Sequence, residues 1–202
     1  MQKKTLIIII VMTLAIANNT VAQIIDPYAP QTIFYVDKEN YNLLRQQFRK
    51  TESFVLNFHY GKTDYAGMKR SEFFKVFSND YHSMQDSTYA DWLMSRYENC
   101  FYAQKGRISF FKSDKGSHFI LHMCVKSISH KAGTTATVLI TYKDSIPLCR
   151  FDLSVDDGRW NDFSTLLIEN GENQAETLSK MIRVLQRDFT LYSKQLLIRK
   201  RR

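Results

Sequence analysis

The chain has 202 residues, 44% of them hydrophobic and 13% aromatic, with a formal net charge of +8. That apolar content excludes a disordered polar chain, and a total of only seven Gly and three Pro excludes long flexible linkers. The length suits one domain with a core of its own.

The first stretch, "MQKKTLIIIIVMTLAIANNTVAQ", carries Lys3 and Lys4 ahead of a 13-residue apolar run from Thr5 to Ala17. A bilayer-spanning helix needs about 20 apolar residues, and Asn18 and Asn19 end this run sooner. Ala15, Ala17, Thr20 and Ala22 supply the small residues of a cleavage site. The expectation is a signal peptide over 1–22, cut after Ala22 to leave Gln23 first. Cleavage after Ala17 and an uncleaved short anchor are the alternatives. Neither junction holds a cysteine, so no lipid anchor is expected. The mature chain is thus expected in the periplasm or secreted. Losing Lys3 and Lys4 lowers the charge to about +6, and Arg199, Lys200, Arg201 and Arg202 supply four of those charges. The basicity is mostly a tail, which argues against a nucleic-acid binder with a basic face spread over its fold.

Residues 23–52 read as a lead-in, extended around Pro27 and Pro30. Within it lies a short helix from Asp37, its cap, through Arg49, with Tyr41, Leu44 and Phe48 on one face. Residues 53–202 read as a single domain with a basic tail. In "SFVLNFHYG", Phe54, Leu56, Phe58 and Tyr60 alternate with Ser53, Val55, Asn57 and His59, the period of a strand. Gly61 and Gly67 bracket a turn or bulge, and "SEFFKVF" from Ser71 is a short helix. A longer helix starts at Asp86 or Ser87. Its stripe of Tyr89, Trp92, Leu93, Arg96, Tyr97, Cys100 and Phe101 is expected to face a sheet. Gly106 ends that region.

Four strand candidates follow. "RISFFKS" is the first. "HFILHMCVKSIS" has Phe119, Leu121, Met123 and Val125 on one face and Ile120, Cys124 and Ile128 on the other, which predicts a central strand. "KAGT" leads into "TATVLITY", and "KDS" into "IPLCRFDLSV", where Cys149, Phe151, Leu153 and Val155 share a face. Turns this short make antiparallel neighbours. Pro147 lacks a backbone donor and places its strand at an edge. "DDGRW" breaks the sheet, and 163–168 carry no decisive period. The last helix contains "ENQAETLSKMIRVLQRDFTLYSKQLLIRKRR", in which Leu178, Ile182, Leu185, Phe189, Tyr192 and Leu196 form one seam.

This order predicts an α+β fold: a single, mostly antiparallel sheet with two main helices packed on one face and a long C-terminal helix. The succession of "FVLNFHYGKTDYAGMKRSEFFKVF", the helix with Trp92, "FILHMCVKSISHKAGTTATVLITY" and "LLIENGENQAETLSKMIRVLQ" resembles uncharacterised exported α/β proteins of Gram-negative envelopes. It is similar in plan to the amino-terminal domain of TolB. It is also similar to the periplasmic domains of penicillin-binding-protein activator lipoproteins and of the curli secretion lipoprotein. The resemblance covers about residues 53 to 190 and rests on strand order and the amphipathic last helix. This chain lacks the lipobox cysteine of those lipoproteins and the propeller of TolB. The resemblance implies a docking or assembly role and supplies no catalytic residues.

Four groups of residues have chemistry to weigh. His118 and His122, four apart on a strand, lie about 13 Å from one another, too far for one metal ion. Asp156 and Asp157 before Gly158, with Asp152 upstream, suit a turn better than a calcium loop, which needs more oxygen ligands. Cys100, Cys124 and Cys149 fit no zinc spacing and sit among apolar residues, where a thiol is blunted; export permits a disulfide, and the odd count leaves one over. No nucleophile elbow, P-loop or dinucleotide fingerprint occurs. No catalytic, cofactor or metal residue is assigned, and no enzyme is expected. The expected function is docking to, or assembly of, a protein partner in the envelope through Phe189, Tyr192, Leu196, Arg199, Lys200, Arg201 and Arg202. Contact of the basic tail with an anionic membrane surface is a further possibility; nucleic acid is not expected. The alternative function is a binding module for a small or lipid-like ligand, with Phe58, Tyr60, Trp92, Tyr97, Phe101 and Phe119 lining a pocket between sheet and helix.

Overall fold

The structure, a computed structural model, describes residues 38–77, 86–113, 117–130, 133–143, 146–154 and 162–199; within these, the side chains of 38–42, 86–87, 146–147 and 188–199 are outside the description. The expected leader 1–22, the lead-in to residue 37, the turn at Asp156, Asp157 and Gly158, and Lys200, Arg201 and Arg202 also lie outside the described residues. Chain order is α1 (Lys38–Lys50), β1 (Ser53–His59), α2 (Arg70–Phe77), α3 (Asp86–Tyr102), β2 (Ser109–Phe111), β3 (Phe119–Ser129), β4 (Gly133–Tyr142), β5 (Ile146–Ser154) and α4 (Phe163–Arg199).

The strands form one mixed sheet in the order β2-β1-β3-β4-β5. The short turns make β3–β4 and β4–β5 antiparallel, and these are the long ladders. β1 runs parallel to both β2 and β3. A parallel pair needs a crossover, which α2 and α3 supply between β1 and β2. As its two-sided apolar pattern requires, β3 is central. β5 is an edge, where the missing donor of Pro147 costs no ladder bond further out.

Alternation decides which side chains enter the core. Phe54 and Leu56 of β1, and Phe119, Leu121, Met123 and Val125 of β3, share one face with Ala136, Val138 and Ile140 of β4 and Cys149 and Leu153 of β5. The helices pack on that face. Phe48 of α1 sits edge-on to Phe54 and Phe119, with ring centroids 5.7 and 5.2 Å away. Tyr97 and Phe101 of α3 contact Phe58 at 5.9 and 5.2 Å. Phe73 and Phe74 of α2 meet Phe163 of α4. Such pairs add about 0.5–1.5 kcal/mol each beyond the area they bury. Ile128 differs from expectation: a bulge between Val125 and Ser127 shifts the register and turns it into the core. In α3, Tyr89, Leu93, Tyr97 and Phe101 are buried as expected, but Trp92 is 39% exposed, with the Arg96 guanidinium 5.1 Å from its ring. The expected stripe is wider than the strip of α3 that the core can cover.

Residues 163–168, undecided in sequence, are the first turns of α4. Asp162 caps them: its carboxylate accepts from the backbone N–H and the hydroxyl of Thr165, both at 2.9 Å. That is the N-cap arrangement that satisfies an orphan donor of the first turn. Further on, α4 meets α3 at Gly171, which is buried. A Cβ there would sit 2.9 Å from Tyr97 Cδ2, 3.1 Å from the Tyr97 carbonyl oxygen and 3.2 Å from Cys100 Sγ. On either side of Gly171, Asn170 and Gln174 reach from α4 to the start of β4. Asn170 Oδ1 accepts from the Thr134 N–H at 3.0 Å, and Gln174 Nε2 donates to the Thr134 carbonyl at 2.7 Å. Tyr97 donates its hydroxyl to Gln174 Oε1 at 2.5 Å. Asn170, Gln174, Tyr97 and Thr134 are fully buried, so each polar group needs these bonds. Toward its far end, α4 grips α1. Arg49 donates to the carbonyls of Gln186 and Arg187 at 3.0 and 3.1 Å, and Gln186 donates to those of Phe48 and Thr51 at 2.9 and 2.6 Å.

No disulfide joins Cys100, Cys124 and Cys149. Burial pushes the Cys149 thiol up to about 12 and raises that of Cys100.

Two stability measurements check this reading. In an exposed helix, replacing Gly by Ala gains about 1 kcal/mol. Gly171→Ala instead loses about 1–2 kcal/mol in denaturant unfolding, because a methyl there overpacks the α3–α4 contact; unchanged or raised stability would refute the close approach. On the second face of the sheet, the Lys126 ammonium and then the Thr137 hydroxyl bond to Asp152 and hold its carboxyl below the ordinary 3.8. A pKa lowered by folding contributes stability above pH 3.8 that is lost as pH falls through the folded value. Asp152→Asn is therefore expected to reduce the stability lost between about pH 5 and about pH 2; an unaltered pH slope would sink the assignment.

Candidate functional site

Backbone geometry just after β1 builds one wall of a concavity. Thr63 donates its hydroxyl to the Val125 carbonyl at 2.8 Å. The Asp64 N–H bonds to Lys126 O, and the Ile128 N–H to Asp64 O, each at 2.9 Å. This segment therefore continues the parallel pairing with β3. It then reverses in a tight turn, closed by Met68 N–H to Tyr65 O at 3.1 Å, with Ala66 at φ 55° and Gly67 at φ 77°. Both sit in the left-handed region, which Gly adopts freely and Ala does not. Asp64 Oδ1 braces the turn by accepting from Gly67 N–H at 2.8 Å.

Between this loop and α3 lies a cleft of about 640 Å³. Tyr60, Thr63, Tyr65, Met68 and Arg70 line one wall; Asp91, Met94, Ser95 and Glu98 line the other. The α3 residues recur at three-and-four spacing, so one helix face presents them all. Two bonds tie the walls together: Tyr60 donates to Glu98 Oε1 at 3.0 Å, and the Arg70 guanidinium meets Asp91 Oδ1 at 2.5 Å. Burial, and then the Glu98 charge, raise the Tyr60 phenol well above its ordinary value, so it remains a hydrogen-bond donor. Tyr65 is raised by burial as well.

The second face of the sheet carries a histidine pair. His59 Nε2 and His122 Nδ1 are 3.2 Å apart, their rings stacked at 5.4 Å, and His122 Nε2 lies 3.1 Å from Thr141 Oγ1. Burial lowers the His59 pKa, favouring the neutral ring. His118 is elsewhere, edge-on to Tyr142 at 5.8 Å. Among the described residues, no three His, Cys, Asp or Glu side chains come together as a metal site would require.

Of the aromatic residues expected to line a pocket, Tyr60 lines this cleft. Phe58, Tyr97, Phe101 and Phe119 pack against one another's neighbours in the core, and Trp92 is on the surface. Phe58, Tyr97 and Phe101 pack ring against ring, and Phe119 packs against Phe48 and Phe54. Of the expected partner-binding residues, Phe189, Tyr192, Leu196 and Arg199 belong to α4 with side chains outside the description, while Lys200, Arg201 and Arg202 lie beyond it. Sequence reading missed both the Tyr60–Glu98 and His59–His122 pairs, whose partners are 38 and 63 residues apart. The one sequence signal near the cleft was the turn bracketed by Gly61 and Gly67.

No helix among the described residues is long and apolar enough to cross a membrane. No protein-family model matches the chain, and no curated protein matches it. A solved structure described as the crystal structure of an uncharacterized protein is similar at 10% identity, over 66% of this chain and 99% of that one. Its TM-score of 0.30 is too low to bear on fold or function.

Proposed function

We propose that this is a non-enzymatic exported envelope protein that docks to a protein partner through the far end of α4. The supporting observation is a length mismatch. At about 1.5 Å per residue, the 37 residues of α4 run roughly 55 Å. The 11 residues of β3, the longest strand, cover roughly 36 Å. The first half of the apolar seam, Leu178, Ile182 and Leu185, is buried in the core. Gln186 and Arg187 hold α1. Past that grip the seam continues in sequence as Phe189, Tyr192 and Leu196, followed by Arg199, Lys200, Arg201 and Arg202.

A helix with apolar residues at this spacing and a basic end suits an apolar groove with an acidic rim. The four charges also suit an anionic lipid surface, at about 1 kcal/mol per charge. The protein groove is preferred because the apolar residues come before the charges and share one stripe. The apolar run and small residues before Gln23 support export.

Two experiments test the reading. In crosslinking pull-downs from intact envelopes, the full mature chain is expected to capture a partner that a chain ending at Tyr192 does not. Leu196→Glu is expected to cut that capture about tenfold, the loss of one buried apolar anchor. Equal capture by all three chains would place the contact elsewhere. N-terminal sequencing of the envelope fraction is expected to read from Gln23, and a chain that keeps Met1 in the cytosol would end the export proposal.

A further inference from the structure

The cleft beside β1 has a chemistry of its own. It is bounded by a loop stitched to β3, by a left-handed turn that includes a non-glycine residue, and by one face of α3. Strained backbone of this kind persists only where the surroundings hold it. Here the Asp64 brace and the β3 bonds do so.

The charges inside do not cancel. Arg70 is matched by Asp91 at 2.5 Å, which leaves the Glu98 carboxylate as the net charge. Among the described residues no lysine, arginine or histidine pairs with Glu98; its bond is to the neutral Tyr60 hydroxyl at 3.0 Å. A carboxylate held by one neutral donor keeps acceptor capacity for a second group. Around it are two tyrosines, Tyr60 and Tyr65, and two thioethers, Met68 and Met94. Aromatic rings and polarizable sulfur beside one carboxylate suit an organic cation: the head group meets the charge, and its alkyl part meets the rings and sulfurs. An anion would meet Glu98 and Asp91 with only Arg70, already engaged, to welcome it.

We propose that this cleft binds a small organic cation carrying a primary amine or guanidinium head, with Glu98 as the residue that recognises the charge. The site is independent of the docking proposed for α4. The α4 grip on Phe48 and Thr51 lies just before β1, and the cleft lies just after it. Either proposal can fail alone.

The test is amide NMR titration of the full mature chain with n-butylamine and butylguanidinium, against butyrate and butanol as charge controls. Saturable shifts at Tyr60, Ser95 and Glu98 with the cations, and at least tenfold weaker binding of butyrate and butanol, are expected. Glu98→Gln keeps the shape and the Tyr60 bond but removes the charge, and is expected to weaken cation binding about tenfold or more, as loss of a charged hydrogen bond does. Ser95→Arg places a tethered cation in the cleft and is expected to abolish binding while leaving the remaining amide spectrum intact. No saturation by either cation, equal binding of butyrate, or undiminished binding by Glu98→Gln would each overturn the proposal.

Discussion

The packing of α4 on α3 depends on one missing methyl group. Gly171 lets the two helices approach until a Cβ would lie 2.9 Å from the Tyr97 ring, and that distance sets the height of α4 over the sheet. At that height Asn170 and Gln174 reach the backbone of Thr134, and the Tyr97 hydroxyl reaches Gln174. The contact and the polar cluster need each other. A helix lifted by an ångström would leave four fully buried residues short of partners, and each unsatisfied group costs about 1–3 kcal/mol. Apolar burial in this core is tolerant of direction; the hydrogen bonds are not, and they fix the rotation of α4 about its axis.

That fixed rotation governs what lies downstream. With Asn170, Gln174, Leu178, Ile182 and Leu185 facing inward, the same stripe carries on to Gln186 and its grip on α1. The network at one end of α4 and the Arg49–Gln186 exchange at the other hold the helix at two separated points. The part of α4 after Arg187 extends from an anchored base. The cleft draws on α3 in the same manner, because Tyr97 and Phe101 pin one side of that helix in the core while Asp91, Ser95 and Glu98 occupy the adjacent side.

Much of this was legible in the residues, for local reasons. Period-two alternation put Phe54, Leu56 and Phe58 on one side of β1, short turns made β3, β4 and β5 a meander, and Pro147 marked an edge. What escaped was set by partners distant in sequence. The parallel pairing of β1 with β3 places His59 opposite Cys124, next to His122, and no local pattern encodes that register. Ile128 changed faces because of a bulge that the even alternation around it conceals. The start of α4 did have a local signal, Asp162 three residues before Thr165, which was masked by the Asp-Gly-rich stretch ahead of it. Tyr60 and Glu98 were each readable as parts of a strand end and a helix face, but their meeting depends on how α3 crosses the sheet.

The mixed sheet also bears on the order in which the chain assembles. The β3–β4 ladder begins by joining Ser129 to Gly133, four residues on, whereas β1 meets β3 by joining Val55 to Ile120, sixty-five residues on. Loop closure entropy rises by about 0.6 kcal/mol per doubling of length, so the longer closure costs roughly 2.5 kcal/mol more before any contact repays it. Local hairpins reach their native pairing early, and distant parallel strands follow. Of the described strands, the one that leaves the ribosome first is the one whose neighbours on both sides arrive much later. β1 must wait, with the backbone donors and acceptors along both of its edges lacking their native partners, until β2 and β3 emerge beside it.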